Sequence, residues 1–514
     1  MTRTPAAPRW NLLLWLIPIG VMSVHLTLLG PMTIDDAYIS CRYAANAAAG
    51  DGLVFNAGER VQGFTNPLLT LVMAAGALVG VKPPVMATAV GALSAVFTAG
   101  ALIFFLRGVT GRVAGVIAAL GLLSTPEFVL NSLSGMETSL FCACLLGASW
   151  AFERKRFRTA GVFAGLLVLT RPDGIVWLIP AAVYLALTWR TALRAVALPA
   201  ALIAGAWYAF ATFYYGSPVP HSIAAKQLIH PGDFLAILQR YLEYLGGTRG
   251  LLALWVLAAI ALVAEVRRGS RVAFLGLGSV FYLLVLSASG VMPFEVPRYF
   301  LWYPVPVIPV AFLLAARGAQ LAGETLSRTA HPIRTTAIIA LAPTIFSCGT
   351  FLRMWENDLP DLREHFRMRE EGYRAVAAEI RRDAGGRTAD VLVGEVGVVG
   401  YHLLDHRVHD SAGINSPEIL RLREADRARL REQGAPPAAL AEGSPAWVLD
   451  FLREERPEYV TTLRMFLHLG WLEQNPAFQA LYEPVGRPEV WLGTGGLQHT
   501  VYGRRDRNGS HAVE

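Results

Sequence analysis

Apolar residues are concentrated in the first 350 positions of the chain, in runs separated by short polar segments. Eleven of these runs are candidate membrane spans: 11–30, 85–106, 113–125, 137–152, 158–170, 174–189, 194–213, 250–265, 272–289, 300–316 and 335–351. About 20 apolar residues in a helix cross the hydrocarbon core of a bilayer. The runs at 113–125 and 158–170 are shorter, so we expect tilted, kinked or broken helices there. The pattern predicts an α-helical polytopic membrane protein.

A further apolar run, at 65–80, lies between the first two spans. We interpret it as a re-entrant or interfacial helix that does not cross the membrane. With this interpretation, successive loops along the chain are alternately rich and poor in Arg and Lys. Loops rich in basic residues face the cytoplasm. Segment 1–30 is predicted to be a retained first span, since no small-residue cleavage pattern of a signal peptide follows it. With eleven crossings, the C-terminal region lies outside the cell.

Charged residues return at about residue 352. We therefore divide the chain into a transmembrane domain, 1–351, and a soluble extracytoplasmic domain, 352–514, here called the tail. The tail is long enough for one domain. Its apolar stretches predict strands at 390–394, 407–410, 457–461 and 497–502, with a glycine-rich turn at Gly394, Gly397 and Gly400. We expect a small α/β domain.

Composition supports this class of protein. Hydrophobic residues make up 54% of the chain, charged residues 16%, and the mean hydropathy is +0.42. Ordinary soluble domains carry about 25% charged residues, so the composition excludes a disordered chain and argues against a plain soluble enzyme. The net charge of +6 does not predict a nucleic-acid partner, because the basic residues are spread over short loops. The four cysteines form no framework for disulfides or a zinc ribbon.

The outer loops hold the candidate chemistry. Ionisable groups at the edge of lipid are costly and usually face a cavity or a partner. Five outer loops, at 31–84, 125–136, 170–174, 214–249 and 290–299, place acids, cations and amides on one membrane face. A site for a polar head group on a lipid tail requires such groups. The polar residues of these loops are Asp35, Asp36, Arg42, Asn46, Glu59, Asn66, Glu137, Arg171, His221, Lys226 and Arg298.

Asp35 and Asp36 precede a helix-prone stretch that Gly50 ends. One interpretation is that one Asp caps this helix and the other favours its positive N-terminal end. The other is a general base that takes a proton from an acceptor hydroxyl, with Asp35 as first choice and Asp36 as helper or cap. Both interpretations hold together if each Asp takes one role.

The remaining charged positions have two interpretations each. Glu137 is a first-turn acid or a carboxylate lining the cavity. Arg171 has Asp173 or a bound anion as its partner. Lys226, one of three lysines in the chain, reaches the membrane interface or binds a phosphate. Arg298 begins an apolar run and suits a bidentate phosphate contact.

A polar cluster in the tail has spacing that a metal could use, or is an ordinary surface cluster. Its members are His402, Asp405, His406, His409 and Asp410. We assign no residue as a metal ligand and predict no firm cofactor, while a divalent metal stays open.

The ordered outer-loop motifs resemble those of the GT-C membrane glycosyltransferases. The stretch from Asp35 to Asn46, with the Gly52–Val61 loop, is similar to the first outer loop of that superfamily, most of all in the terminal β-(1→2) arabinofuranosyltransferases. Further stretches follow in the same order, at Ser134 to Thr138, Thr170 to Gly174, Tyr214 to Lys226, and Arg298. The resemblance covers about residues 10–350. It departs at His221, where similar proteins often carry Asn.

The resemblance implies a polyprenyl-phosphate donor, carrying arabinofuranose or a related sugar, and a cell-envelope glycan acceptor at the outer face of the plasma membrane. Asp35 and Asp36 are then catalytic, and Lys226, Arg298 and Arg42 bind the donor phosphate. The expected substrate contacts are Asn46, Glu59, Asn66, Glu137, Arg171 and His221. An inverting or a retaining reaction fits equally.

Two rival functions fit a chain of this kind. One is a transporter or flippase of a lipid-linked sugar, although no repeated halves are visible. The other is a non-catalytic envelope scaffold whose tail binds glycan.

Overall fold

The computed structural model describes residues 13–107, 110–229, 232–246, 252–270, 272–291, 299–326, 332–436, 443–462, 469–486, 489–492, 495–498 and 500–507. Its first eight helices are α1 Leu16–Leu29, α2 Asp35–Ala49, α3 Pro67–Leu78, α4 Pro83–Arg107, α5 Arg112–Leu123, α6 Pro126–Leu133, α7 Thr138–Glu153 and α8 Phe157–Thr170. The next nine are α9 Gly174–Thr188, α10 Arg190–Tyr215, α11 His221–Ile229, α12 Phe234–Gly246, α13 Leu252–Arg267, α14 Ala273–Ala288, α15 Val307–Leu326, α16 Pro332–Arg353 and α17 Leu359–Ala384.

Ten of the eleven predicted apolar runs fall on one of these helices over most of their described residues. The run at 300–316 does so only from Val307, because residues 300–306 are not helical. By length and composition, four helices among the described residues are able to cross a membrane: Pro83–Arg107, Arg190–Tyr215, Val307–Thr325 and the continuous helix Thr335–Ala384. The other runs form shorter helices, so eleven crossings stay a prediction.

The run at 113–125 ends in a break, as its short length predicted. Helices α5 and α6 meet at 65° and would form a fifth span if they are counted together. Pro126 begins α6 and lacks the N–H that a continuing helix would need. The predicted loop at 125–136 is therefore mostly a buried helix, which is a correction. The predicted loop at 214–249 likewise contains α11 and α12.

Helix α3 fits the interpretation of the run at 65–80 as a segment that does not cross. It has 12 residues, which extend about 18 Å at the helical rise of 1.5 Å per residue. The hydrocarbon core is about 30 Å thick. Pro67 begins the helix, and Pro83 begins the next one.

The boundary predicted near residue 352 lies inside a helix. A π-helical turn, Met354–Asp358, joins α16 to α17 without a loop. The change from apolar to charged residues therefore occurs along one continuous helix. The division into domains 1–351 and 352–514 stays a prediction.

The described strands are β1 Asp390–Val393, β2 Arg407–Asp410, β3 Tyr459–Thr462, β4 Tyr482–Gly486, β5 Glu489–Leu492, β6 Gly495–Gln498 and β7 Thr500–Arg504. Five of them form one sheet in the order β2-β1-β3-β7-β4, and β5 pairs with β6. Strand β1 is parallel to β2 and β3, and β7 is antiparallel to β3 and β4. The helices of this region are α18 Val396–His402, α19 Pro417–Glu432, α20 Ala446–Glu454, α21 Leu469–Gln474 and α22 Pro476–Leu481.

Three of the four predicted tail strands coincide with β1, β2 and β3. The fourth, 497–502, is wrong as a single strand, since β6 and β7 divide it. The predicted glycine-rich turn is also wrong, because α18 occupies it.

Helix α2 packs between the membrane helices and the tail. One face contacts α3, and another contacts α18. A shared apolar core joins Tyr43 of α2 and Phe55 of the loop after it to Val399 and Val408 of the tail. This junction positions the candidate site.

Candidate functional site

The two adjacent aspartates at the start of α2 have different surroundings. Asp35 is buried, with 9% of its surface exposed. Its Oδ2 accepts the backbone N–H of Gly397, and its Oδ1 accepts that of Val398, both at 2.9 Å. Burial raises the pKa of Asp35, although Arg369 and these two N–H groups act in the opposite direction. Asp35 thus anchors the first turn of α18, which leaves it poorly placed to serve as the first-choice base.

Gly397 is required for this anchor. A Cβ atom there would lie 1.9 Å from the carbonyl oxygen of Asp35. Only glycine lets the two backbones approach so closely.

Arg42 is fully buried and joins the first loop to the tail. Its Nε donates to the carbonyl of Phe55 at 2.6 Å, and its Nη2 donates to the side chain of Asn56 at 3.0 Å. The remaining donors reach three tail carbonyls, those of Gly400, Leu403 and His406. All five N–H groups of the guanidinium are used. The prediction that Arg42 binds a donor phosphate is therefore wrong.

Asn46 and Asn56 also stabilise the region where α2 and its following loop meet the tail. Asn46 donates to the carbonyls of Val54 and Phe55, at 3.0 and 2.9 Å. The amide of Asn56 exchanges two 3.0 Å hydrogen bonds with the backbone of Val408. These contacts are structural, so the predicted substrate contact of Asn46 has no support here.

Glu59 has a structural partner as well. Its carboxylate accepts a hydrogen bond from Asn56 at 2.9 Å and forms an ion pair with Arg407 of the tail. This pairing replaces the substrate contact that was predicted for Glu59.

Asp36 remains partly exposed and forms no hydrogen bond to the described part of the chain. Lys226, on α11, is its cationic neighbour. The pKa of Lys226 is raised, mainly by Tyr303, while burial opposes the rise and the carboxylates of Asp36 and Glu137 add to it. The ammonium also lies 6.0 Å from the ring centre of Trp302. Asp36 and Lys226 thus belong to one polar cluster.

Glu137 and Asn66 form a second part of this cluster. The amide of Asn66 donates to Oε2 of Glu137 at 2.8 Å and accepts from the Ser40 hydroxyl at 2.8 Å. Both residues are nearly fully buried. Glu137 therefore stands at the start of α7, as a buried carboxylate that accepts a hydrogen bond from Asn66. Its predicted role in lining a substrate cavity stays a prediction.

Arg171 completes the cluster. It pairs with Asp173, lies 3.9 Å from Glu137 and donates to the Tyr282 hydroxyl at 3.2 Å. The ring of Tyr303 lies 4.6 Å from its guanidinium. Its Nη1 is buried without a hydrogen-bond partner among the described residues. Asp173 is thus the partner of one edge of the guanidinium. An anion at the two N–H groups of Nη1 stays a prediction.

His221 begins α11, and its backbone N–H donates to the carbonyl of Gln62 at 2.9 Å. Its Nε2 is buried without a partner in the described ranges. Burial lowers the pKa of His221, so the ring is a neutral acceptor. Arg298 lies outside the described residues.

The polar cluster predicted in the tail is split among separate partners. Asp405 pairs with Arg381, and His409 lies 2.9 Å from Glu418. Asp410 accepts the backbone N–H groups of Ala412 and Asn415. Within the described residues, no three His, Cys, Asp or Glu side chains gather as metal ligands do.

Sequence reasoning missed two charged residues beside the aspartates. Arg369 of α17 pairs with Glu395, which lies between β1 and α18. The charges of Asp35 and Asp36 act on both members of this pair. Arg369 lies in a helix rich in charges, and no local pattern distinguishes it from its neighbours.

An apolar groove lies among the membrane helices. It is lined by residues of α4, α7 to α10 and α14, including Trp177. The ring of Trp177 lies 5.2 Å from that of Tyr282, which bonds to Arg171. The polar cluster itself does not line the groove.

Solved structures resemble this architecture over nearly its whole length. ArnT from Cupriavidus metallidurans bound to undecaprenyl phosphate has a TM-score of 0.59 and 14% identity, covering 97% of this chain and 98% of ArnT. ArnT in the apo state has a TM-score of 0.60 and 13% identity, covering 96% and 97%. The chain has the GT-C fold.

A second GT-C structure, the arabinofuranosyltransferase AftD from mycobacteria, has a TM-score of 0.53 and 17% identity. The match covers 98% of this chain and 42% of AftD. The GT-C resemblance of the sequence is therefore confirmed at the level of the fold, and the chain is a multi-pass membrane protein. Residues 362–506 match a family model described as a domain of unknown function, DUF8728. No curated protein matches the sequence.

Proposed function

We propose that this protein is a membrane glycosyltransferase that moves a sugar from a polyprenyl-phosphate donor to a glycan acceptor. The observation that carries the proposal is the polar cluster, in a chain with the GT-C fold. In it the charges of Asp36, Glu137 and Arg171 all act on Lys226. Asp36 is partly exposed, and its carboxylate has no side-chain partner among the described residues. A carboxylate beside cations suits a reaction in which a hydroxyl loses a proton and a phosphate departs.

The donor would place its phosphate at Lys226 and at the two N–H groups of Arg171 Nη1. A compact ammonium and a guanidinium both bind phosphate well. ArnT, which has this fold, binds undecaprenyl phosphate. Arg298 stays a further proposed phosphate ligand, on its sequence context alone.

Asp36 is proposed as the general base. In a direct displacement it takes the proton of an acceptor hydroxyl, and that oxygen bonds to the anomeric carbon of the sugar. The bond from this carbon to the phosphate oxygen breaks, and the electron pair leaves with the phosphate. Lys226 and Arg171 would stabilise the added negative charge.

The neighbouring carboxyl and amide groups would hold the sugars. Asn66, Glu137 and the neutral ring of His221 are the proposed contacts, because hydroxyl groups both donate to and accept from such side chains. Arabinofuranose or a related sugar is the proposed cargo, on the outer-loop motifs and the shared fold with AftD. The outer face of the plasma membrane and a cell-envelope acceptor follow from the charge distribution of the loops and the same motifs.

The test is donor turnover by the purified full-length protein in lipid nanodiscs. We expect free polyprenyl phosphate to appear only when a glycan acceptor is added. A flippase would move the donor between leaflets without cleaving it, and a scaffold would bind glycan without consuming the donor. Either result would contradict the proposal.

A matched pair of lysine variants tests the phosphate site. Lys226→Ala should weaken donor binding about tenfold or more, as expected when a charge-assisted contact worth about 1.5–3 kcal/mol is lost. Lys82→Ala removes an exposed lysine outside the cluster and should bind the donor as the wild type does. Equal donor affinity in both variants would remove the proposed role of Lys226.

A further inference from the structure

The apolar groove lies in the half of the membrane helices that is farther from the candidate site. Helix α10, Arg190–Tyr215, is long enough to cross a membrane. At its end, the Tyr215 hydroxyl donates to the carbonyl of Leu53 in the loop after α2. The groove is lined by the other half of α10, from Leu193 to Ala200. Ala200 is about 22 Å from Tyr215 along the helix, at a rise of 1.5 Å per residue.

Helices α7 and α8 place the groove in the same half. Helix α7 lines it with its C-terminal part, up to Glu153, and α8 lines it with Ala160 and Ala164 near its start. The polar cluster is at the opposite ends of these helices, because Glu137 precedes α7 and Arg171 follows α8. The groove and the candidate site are therefore separate.

Six basic side chains lie at the groove end of these helices. All six are exposed, and none forms a salt bridge with a described residue: Arg154, Lys155, Arg156, Arg158, Arg190 and Arg194. Segments 154–158 and 188–194 contain no Asp or Glu. An excess of basic residues on one face is common in membrane proteins, so these charges do not by themselves define a site.

Contacts between rings place the basic residues beside the groove. The ring of Phe152, which lines the groove, lies 6.1 Å from that of Phe157. The Phe157 ring lies 5.0 Å from that of Trp189, and the ammonium of Lys155 lies 5.8 Å from the same Trp189 ring. Trp189 is 41% exposed, as is usual for tryptophan at the level of the lipid head groups. Arg190 follows Trp189 directly, so both basic segments border the groove.

We propose that the groove binds an acyl chain of an anionic phospholipid, whose phosphate contacts the bordering basic side chains. Of the side chains that line the groove, only those of Ser149, Glu153 and Trp177 carry a polar atom. Basic pockets between membrane helices bind anionic head groups. A head group with a net negative charge complements six cations, whereas a zwitterionic head group brings a cation of its own. This site is separate from the proposed sugar transfer and does not depend on it.

The experiment uses the full-length protein in nanodiscs that contain equal amounts of phosphatidylglycerol and phosphatidylcholine. The protein is extracted again in detergent, and the lipids that it retains are identified by native mass spectrometry. We expect phosphatidylglycerol to be retained about tenfold more than phosphatidylcholine, because several basic residues attract its head group.

A double variant tests the basic border of the groove. Arg190→Gln with Arg194→Gln should lower the retained phosphatidylglycerol about tenfold or more, since two attractive charges are lost. The matched control is Arg112→Gln with Arg267→Gln. It removes the same charge from exposed positions on α5 and α13, which do not line the groove, and should retain the lipid as the wild type does.

A second pair of variants tests the groove itself. Ala197→Phe adds a ring to a side chain that lines the groove and should lower the retained lipid to a similar extent. Leu198→Phe makes a comparable addition at the next position of α10, where the side chain is 64% exposed and does not line the groove. This control should retain phosphatidylglycerol at the wild-type level.

Loss of phosphatidylglycerol in both test variants, with both controls unchanged, supports the inference. Wild-type retention in either test variant would overturn it, and so would equal retention of the two phospholipids by the wild type. Retention of a polyprenyl phosphate in place of a phospholipid would also overturn it and would assign the groove to the donor. Failure of the proposed sugar transfer would leave these lipid measurements unchanged.

Discussion

The two faces of helix α2 carry similar polar residues that have opposite surroundings. On the tail-facing side, Asp35 and Arg42 are buried and bond to backbone groups of the tail. On the other side, Asp36 is partly exposed, and its charge acts on Lys226 together with those of Glu137 and Arg171. Asp35 and Asp36 are adjacent in sequence and share the same chemistry. Their surroundings therefore distinguish them, because only the carboxylate of Asp35 is used in hydrogen bonds to the tail.

On the tail-facing side, the buried polar residues of α2 stabilise the fold through hydrogen bonds to the tail. A buried polar group costs free energy unless it is hydrogen-bonded, so each donor must meet an acceptor. Arg42 meets this demand with carbonyls from both parts of the chain. The predictions below test this division between an anchoring side and an open side, and they begin with the largest expected effect.

Replacing Arg42 by Met should destabilise the junction most. The variant leaves the carbonyl of His406 without its donor. The carbonyls of Phe55, Gly400 and Leu403 each lose one of two donors, because Asn46 and the backbone N–H groups of Leu403 and His406 still reach them. One unsatisfied buried group costs about 1–3 kcal/mol, and three charge-assisted hydrogen bonds are lost besides. We expect a lower unfolding temperature and faster proteolysis of the tail.

Arg42→Lys is the informative control for this variant. An ammonium with three donors cannot replace a planar fork with five, so it should restore little stability. A variant at Arg42 that keeps wild-type unfolding but loses donor binding would instead support a phosphate ligand.

Gly397→Ala tests the anchor of Asp35 from the tail side. The added Cβ would lie 1.9 Å from the carbonyl oxygen of Asp35, so α18 must shift. We expect destabilisation of about 1–3 kcal/mol, as for overpacked positions. Gly470→Ala is the matched control, because Gly470 also lies in a tail helix without a positive φ and a Cβ there meets no atom within 4 Å. Equal stability of the Gly397 variant and the wild type would contradict the close approach.

Acid should loosen the junction through His402. Burial lowers its pKa from 6.5 to about 4, and Arg374 donates to its Nε2 at 3.2 Å. Because the folded pKa is below the unfolded one, this contribution to stability is present above pH 6.5 and is lost as pH falls toward 4. The difference in unfolding temperature between pH 7 and pH 5 should be smaller in His402→Gln than in the wild type. An identical pH dependence in both proteins would contradict this role.

Glu59→Gln should have the smallest effect. The ion pair of Glu59 with Arg407 is about a third exposed on each side. Exposed pairs contribute about 0–1 kcal/mol. Thermal unfolding should shift by a degree or two at most, and transfer should stay at the wild-type level. A large loss of transfer with intact folding would return Glu59 to the substrate contacts.

Much of the fold could be predicted from local patterns. Apolar runs identify the helices, since each must bury or shield a continuous hydrophobic surface. Alternating stretches gave β1, β2 and β3. The ordered motifs around Asp35, Ser134, Arg171 and Tyr214 indicated the GT-C fold.

The roles of the polar residues could not be predicted in this way. Arg42 meets Gly400 and Leu403 only because α18 returns to α2 after more than 350 residues. A sequence shows which residues are able to donate or accept, but it does not show which backbone atoms approach them. Arg369 and Glu395 were missed for the same reason.

The most direct test of the account compares Asp35→Asn with Asp36→Asn in one assay of sugar transfer and one of thermal unfolding. For Asp36→Asn we expect wild-type unfolding and a loss of transfer of about 10²–10⁴-fold, the usual contribution of a general base. For Asp35→Asn we expect lower stability, with the remaining folded protein still active. If Asp36→Asn keeps wild-type transfer while folded Asp35→Asn has none, the two roles are reversed and the account is wrong.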